Sequence, residues 1–200
     1  MNEMMFALTL DQRQSRRGRD AVASTLLDYN ARFAFVRPFE RTSGDEMQAL
    51  VTSANSAVDI VLDAVRTEEW WIGLGVGRVD DPVPSSVRAA SGPALENARA
   101  AVERAKGRAG AHRFVVVGDD PRCDDLATVL TLLSVIIERQ SPGAIDVERL
   151  YAQGLRQREA AAQLGITQQT FSERLRRGAV AELSAGRDLA VKIAADIVRP

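Results

Sequence analysis

Apolar and polar residues follow two rhythms along this chain, and the rhythm changes near residue 120. "MMFALTLD" (Met4 to Asp11) is a short apolar run closed by a carboxylate, the pattern of a buried strand. "AVASTLLDYNARF" places Val22, Leu26, Leu27 and Tyr29 at helical spacing, which predicts a helix with those four side chains inward. "AFVRPFERTS" predicts a second strand. From Met47 to Val65, the residues Leu50, Val51, Ala54, Val58, Val61 and Leu62 recur at helical spacing and predict a second helix. "EWWIGLGVGRV" predicts a strand in which Gly73, Gly75 and Gly77 leave the backbone open to close approach by another element. A loop, a helix over Ala94 to Lys106 and a last strand, "HRFVVVGDD", complete the first part. Strands alternating with helices predict an α/β or α+β sandwich of about four strands.

After Asp120 no strand rhythm returns. The remainder reads as helices broken at "QSPGA", "QG", "LGIT" and "SAGR". The expected organisation is therefore an α/β domain over residues 1–120 and an all-α region over 121–200, with a helix over Asp124 to Gln140 bridging them.

The sharpest local signal lies in the second part, in "QGLRQREAAAQLGITQQTFSERLRRG" (Gln153 to Gly178). A helix-turn-helix needs a small residue where its helices cross, a turn glycine four residues later, hydrophobes beside that glycine and an apolar anchor in the second helix. Ala161, Gly165, Leu164, Ile166 and Phe171 meet those demands at the right offsets. Thr167 suits the N-cap of the second helix, and "RQRE" opens the first. The second helix then offers Gln168, Gln169, Thr170, Ser172, Glu173, Arg174, Arg176 and Arg177. Glutamine bonds adenine edges, and arginine bonds guanine edges or phosphates, so the expected partner is double-stranded DNA. The stretch, at about residues 155–177, resembles the helix-turn-helix of LuxR-type regulators and of sigma-factor region 4, with Phe171 where those families usually carry valine. One copy makes few base contacts, so a homodimer reading two half-sites is expected. The apolar helix Leu126 to Ile137 or the C-terminal "AVAELSAGRDLAVKIAADIV" could supply the dimer contact.

Composition narrows the classes. Hydrophobic residues make up 46% and charged residues 26%, enough to bury a core, and the net charge is −1. Residues 141–200 carry nine Lys/Arg against seven Asp/Glu, which excludes a polybasic tail but not a locally basic helix. The single cysteine, Cys123, cannot form an internal disulfide. No signal peptide is evident, and "ATVLTLLSVII" is too short to span a bilayer, so a cytoplasmic protein without a membrane partner is expected. No Ser-His-Asp, Cys-His or zinc spacing is present, and His112 stands alone at a strand entrance.

A second constellation sits in the first part. Asp11 closes the first strand, and "RTSGDEM" puts Asp45 and Glu46 in the turn after the second. Neighbouring strands would bring the three carboxylates together, with Asp11 and Asp45 as candidate magnesium ligands. Arg16 and Arg17, in the loop after Asp11, would meet the phosphates of a nucleotide ligand. A plainer role is open too: Asp45 and Glu46 would cap a helix starting near Met47.

The aspartate after the first strand, "RTSGDEM", "GLGVG" and "SGPALENARAA" resemble class III nucleotide cyclases, and the turn resembles the R-x-G-G-D-E-F signature of diguanylate cyclases. The whole run from "FALTLDQRQSR" through "GDEMQALV", "WWIGLGVG" and "GPALENARAA" resembles the SatD family, many members of which carry a C-terminal helix-turn-helix. The resemblance implies a cyclase-like, ferredoxin-type sandwich. Aligned on Gly92, the asparagine and arginine that serve cyclase turnover are replaced by Glu96 and Ala100, with Asn97 and Arg99 one residue out of register. Arg41 stands where class III nucleotide cyclases keep a base-reading lysine. The expectation is a DNA-binding transcription regulator with a non-catalytic, ligand-sensing or dimerisation domain. The alternative is a metal-dependent nucleotide cyclase or nucleotide-binding enzyme governed by its helical tail.

Overall fold

The computed structural model describes residues 3–13, 20–107 and 113–199. In order they form β1 (Met4–Gln12), α1 (Val22–Arg32), β2 (Arg37–Ser43), β3 (Glu46–Val51), α2 (Ala54–Thr67) and β4 (Trp70–Arg78). A 3-10 turn (Val87–Ala89), α3 (Pro93–Gly107) and β5 (Phe114–Val117) follow. The helical part comprises α4 (Arg122–Arg139), α5 (Pro142–Ala152), α6 (Gln157–Gln163), α7 (Gln168–Arg177) and α8 (Val180–Val198). The class is mixed α+β, and no helix among the described residues is long and apolar enough to cross a membrane.

The sheet runs β2-β3-β1-β4-β5. β1 lies antiparallel between β3 and β4, so the first six elements make the split βαβ arrangement of ferredoxin-type folds. α3 then crosses over to return β5 parallel to β4. Side-chain alternation sorts the faces. Phe6, Leu8 and Leu10 join α1 and α2 in the main core, whereas Met5 and Ala7 meet Ala94, Leu95 and Ala98 of α3 on the other face. Both faces are covered, and this is why β1 reads as a continuous apolar run.

Two expectations fail for the same reason. Residues 46–51 are a strand, not the start of a helix, so the sheet has five strands instead of about four. Met47, Ala49 and Val51 face the main core while Leu50 faces α3, and a strand buried on both sides places apolar residues at spacings that mimic a helix. The helix begins where Ser53 caps it, accepting a hydrogen bond from the Ser56 amide at 3.2 Å. In α1, Leu27 points outward at 78% exposure and Leu26 is half-buried, because the helix turns Val22 and Tyr29 to the sheet.

The element that approaches the glycine strand is α3. A Cβ at Gly75 would lie 2.1 Å from the Ala94 carbonyl oxygen and 2.2 Å from the Ala98 nitrogen; at Gly73 it would lie 2.2 Å from the Ala98 carbonyl oxygen. These are backbone atoms, so a methyl group there has to lift the helix off the sheet.

The core continues past the sheet. Leu126, Leu130, Leu133 and Ile137 of α4 and Leu183, Ala190, Ala194 and Ile197 of α8 belong to the same cluster as α2. α4 and α8 run antiparallel: Gly186 sits against Leu133, and Arg122 donates to the Asp196 carbonyl at 2.6 Å. Gly75→Ala is expected to destabilise the chain by about 3 kcal/mol, the range of core overpacking. Denaturant unfolding measures it, and a loss below about 1 kcal/mol would show that α3 does not need this close seat.

Candidate DNA interface and the acidic hairpin

α5, α6 and α7 have a small core of their own, in which Val147, Leu150, Ala160, Ala161 and Phe171 are buried and Leu155, Leu164, Ile166 and Leu175 pack around them. Ala161 provides the close crossing, and Gly165 takes the left-handed conformation (φ +63°) that the turn demands of a residue without Cβ. The turn closes on its own backbone: the Gly165 amide donates to Ala162 at 3.1 Å and the Ile166 amide to Ala161 at 3.0 Å. Thr167 caps α7, its hydroxyl accepting from the Thr170 amide at 3.1 Å.

On α7 the exposed residues Gln168, Gln169, Ser172, Glu173 and Arg176 share one face, one and two turns apart. That face can present amides, a hydroxyl and a guanidinium to base edges and phosphates. Arg177 is exposed but holds Glu173 at 2.7 Å, and Ser172 donates to Gln157 of α6 at 2.8 Å. Thr170 and Arg174 are half-buried. The Arg174 guanidinium lies along Gly143 at the start of α5, where a Cβ would come within 3.0 Å of it, so it stands behind the exposed face instead of on it.

The acidic turn is the tip of the β2–β3 hairpin. β1 and β3 are neighbours, Asp11 lies opposite Glu46, and the Gln12 amide donates to the Asp45 carbonyl at 3.0 Å. The capping role is overturned: Glu46 opens a strand and no helix follows it. The three acidic residues are thus close, and the side chains of Asp11, Glu46 and Arg41 each have an assigned partner. Asp11, mostly buried, receives the Lys106 ammonium of α3 at 2.8 Å. Glu46 accepts from the Thr42 hydroxyl at 2.6 Å. Arg41 grips the Asp20 carboxylate through two contacts of 2.7 and 2.6 Å and also donates to the Gly44 carbonyl. That grip holds the Asp20 carboxyl below its ordinary range. Arg16 and Arg17 lie outside the described residues, as does His112.

Magnesium would need the oxygens of Asp11 and Asp45, and an ammonium already sits on Asp11. Among the described residues no three His, Cys, Asp or Glu side chains gather as a metal-binding group. The donor set as folded does not fit a magnesium ion. Lys106 and Asp20 were invisible to sequence reasoning: Lys106 is 95 residues from Asp11 and carries no motif, although it is one of only two lysines.

Comparison with family models, with curated proteins and with solved structures gives no match.

Two outcomes follow from this geometry. Thr167→Ala removes the α7 cap and is expected to cost about 1 kcal/mol in denaturant unfolding; an unchanged midpoint would mean the cap does not hold the helix. Burial raises the Asp11 carboxyl above 3.8, Lys106 works against that rise, and the charges of Asp45 and Glu46 add to it. A raised folded value means the contribution of Asp11 to stability is fully present below pH 3.8 and is lost as pH climbs through the raised value. In Lys106→Met the Asp11 carboxyl titration, followed by NMR, is expected to move higher still. A midpoint that stays or falls would show that Lys106 is not its counter-ion.

Proposed function

We propose that this chain is a cytoplasmic DNA-binding transcription regulator that acts as a homodimer, with a cyclase-like, SatD-like domain that senses a ligand or dimerises and does not turn over nucleotide. The observation that carries the reading is the exposed α7 face of Gln168, Gln169, Ser172 and Arg176, presented by a turn and cap whose own polar groups are satisfied.

The sheet part is tied to the helix-turn-helix through charged side chains. Arg66 of α2 holds Glu148 of α5 at 2.5 Å and Gln140 at 2.8 Å. Gln140 in turn donates to the Gly178 carbonyl, at the end of α7, at 3.0 Å. Arg187 of α8 grips Asp59 of α2 through contacts of 2.6 and 2.7 Å. A ligand or a second copy with unequal affinity for two arrangements of α2 would therefore act on the recognition helix. Leu132 (62% exposed) on α4 and Leu189 (49% exposed) on α8 are exposed leucines on this helix pair, and they are where we place the contact with a twin. The enzymatic alternative finds its support in the convergence of Asp11, Asp45 and Glu46, and its obstacle in Lys106.

Fluorescence anisotropy with duplex DNA is expected to show binding that weakens steeply with salt. Arg176→Ala is expected to lower the salt slope by about 1, and Gln168→Ala or Gln169→Ala to cost about 1–3 kcal/mol on a selected site and little on other DNA. Absence of salt-dependent binding, or binding that survives removal of Thr167–Arg177, would overturn the reading.

A further inference from the structure

The face of the sheet that carries Asp11 is covered by α3 only along β4, β1 and β5. Beyond Leu50, toward the hairpin end of β2 and β3, it turns polar: Thr9 is fully buried, and its hydroxyl accepts from the Gln48 side chain at 3.0 Å. A groove of about 290 Å³ lies there, lined by Thr42, Ser43, Glu46 and Gln48 from the hairpin, Arg88 from the 3-10 turn and Arg99 from α3.

The charges around this groove are unevenly matched. Glu46 is bonded to Thr42, Glu40 accepts from Ser86 at 2.5 Å, and Asp11 is held by Lys106. Neither the Arg88 nor the Arg99 guanidinium has a hydrogen-bond or ion-pair partner among the described residues. Two cationic forks from separate elements thus line one polar groove that holds a single carboxylate, Glu46, bonded to the Thr42 hydroxyl. A planar carboxylate satisfies one fork with its two oxygens, whereas a phosphoryl group has oxygens for two forks and for hydroxyls beside them. The Ser43 hydroxyl stands beside the arginines, the Thr42 proton being committed to Glu46, and Gln48 offers an amide to whatever the phosphoryl group is attached to.

We infer that this groove binds the phosphoryl group of a small phosphorylated molecule, held by Arg88 and Arg99 without a metal ion. The inference rests on the ligand-sensing reading of the sheet domain and gives that reading a site and a ligand class. The site is distinct from the acidic hairpin as a magnesium centre, since its cations are the two guanidinia. A solvent-open groove of this size has room for a phosphate or diphosphate, and any nucleoside attached to it would extend over the rim toward Gln48.

Titration calorimetry on the full chain in EDTA at fixed ionic strength tests it, with inorganic phosphate, pyrophosphate and ADP as probes. Saturable binding is expected for pyrophosphate or ADP. Pyrophosphate tighter than ADP assigns the groove to the free anion, and ADP tighter assigns it to a nucleotide. Arg88→Gln and Arg99→Gln are each expected to weaken binding about tenfold or more. Arg104→Gln, on the exposed side of α3 outside the groove, is expected to stay within about twofold. Thermal unfolding without ligand checks that each variant is folded. No saturable binding, or equal affinity in the Arg88→Gln/Arg99→Gln double variant, overturns the inference. So does binding that appears only with magnesium and is abolished by Asp45→Ala. DNA binding measured on the same double variant separates the two readings: if it persists while wild-type chain takes up no probe, the groove fails and the regulator stands.

Discussion

Helix α2 is buried on two sides, and the rest of the molecule is organised around that constraint. Nine of its residues are buried, from Ala54 to Val65. One side packs on the sheet and the other on the α4–α8 pair, so a single apolar cluster runs from β1 to Ile197. Burial of this kind is non-directional and contributes about 25 cal/mol per Å² of apolar surface. The directional ties, Arg66 to Glu148 and Arg187 to Asp59, then fix where the helix-turn-helix stands relative to the sheet. These pairs are partly exposed, so their worth lies in geometry more than in stability. α7 belongs to a small satellite core and packs against α5, α6 and α8.

The seating of α3 on β4 also sets the charge pattern at the hairpin end of the sheet. The hairpin and first strand still bring Asp11, Asp45 and Glu46 together, but α3 delivers an ammonium to the place a cation would take. α3 can do so because Gly73, Gly75 and Gly77 let it settle onto β4 at backbone distance. The same seat leaves a groove at the hairpin end of β2 and β3, lined by Arg88 and Arg99 beside polar side chains. Close packing at one strand thus both closes the acidic end and exposes the groove.

What could be read from the sequence divides along the range of the interactions. The helix-turn-helix was legible because its determinants are local. Ala161, Gly165, Thr167 and Phe171 lie within eleven residues, and each answers a steric or hydrogen-bonding demand set by its neighbours. The glycine strand was legible as a backbone approached closely, though not the helix that approaches it. Residues 46–51 were misread because burial on both faces erased the alternation that marks a strand. The outward turn of Leu27 depends on how α1 lies on the sheet, which helical spacing does not encode. The partners Lys106 for Asp11 and Asp20 for Arg41 are set by tertiary contact alone, across 95 and 21 residues. The site's composition was therefore readable in part, and its charge pairing was not.

The central claim is that α7 reads base sequence. Selection of bound duplexes from a random pool by the full chain tests this most directly, with the chain lacking Thr167–Arg177 as reference. The account predicts enrichment of a motif with two related half-sites spaced by about one helical turn or a multiple of it, absent from the reference selection. A pool that emerges without sequence enrichment, or the same motif recovered by both chains, would contradict it.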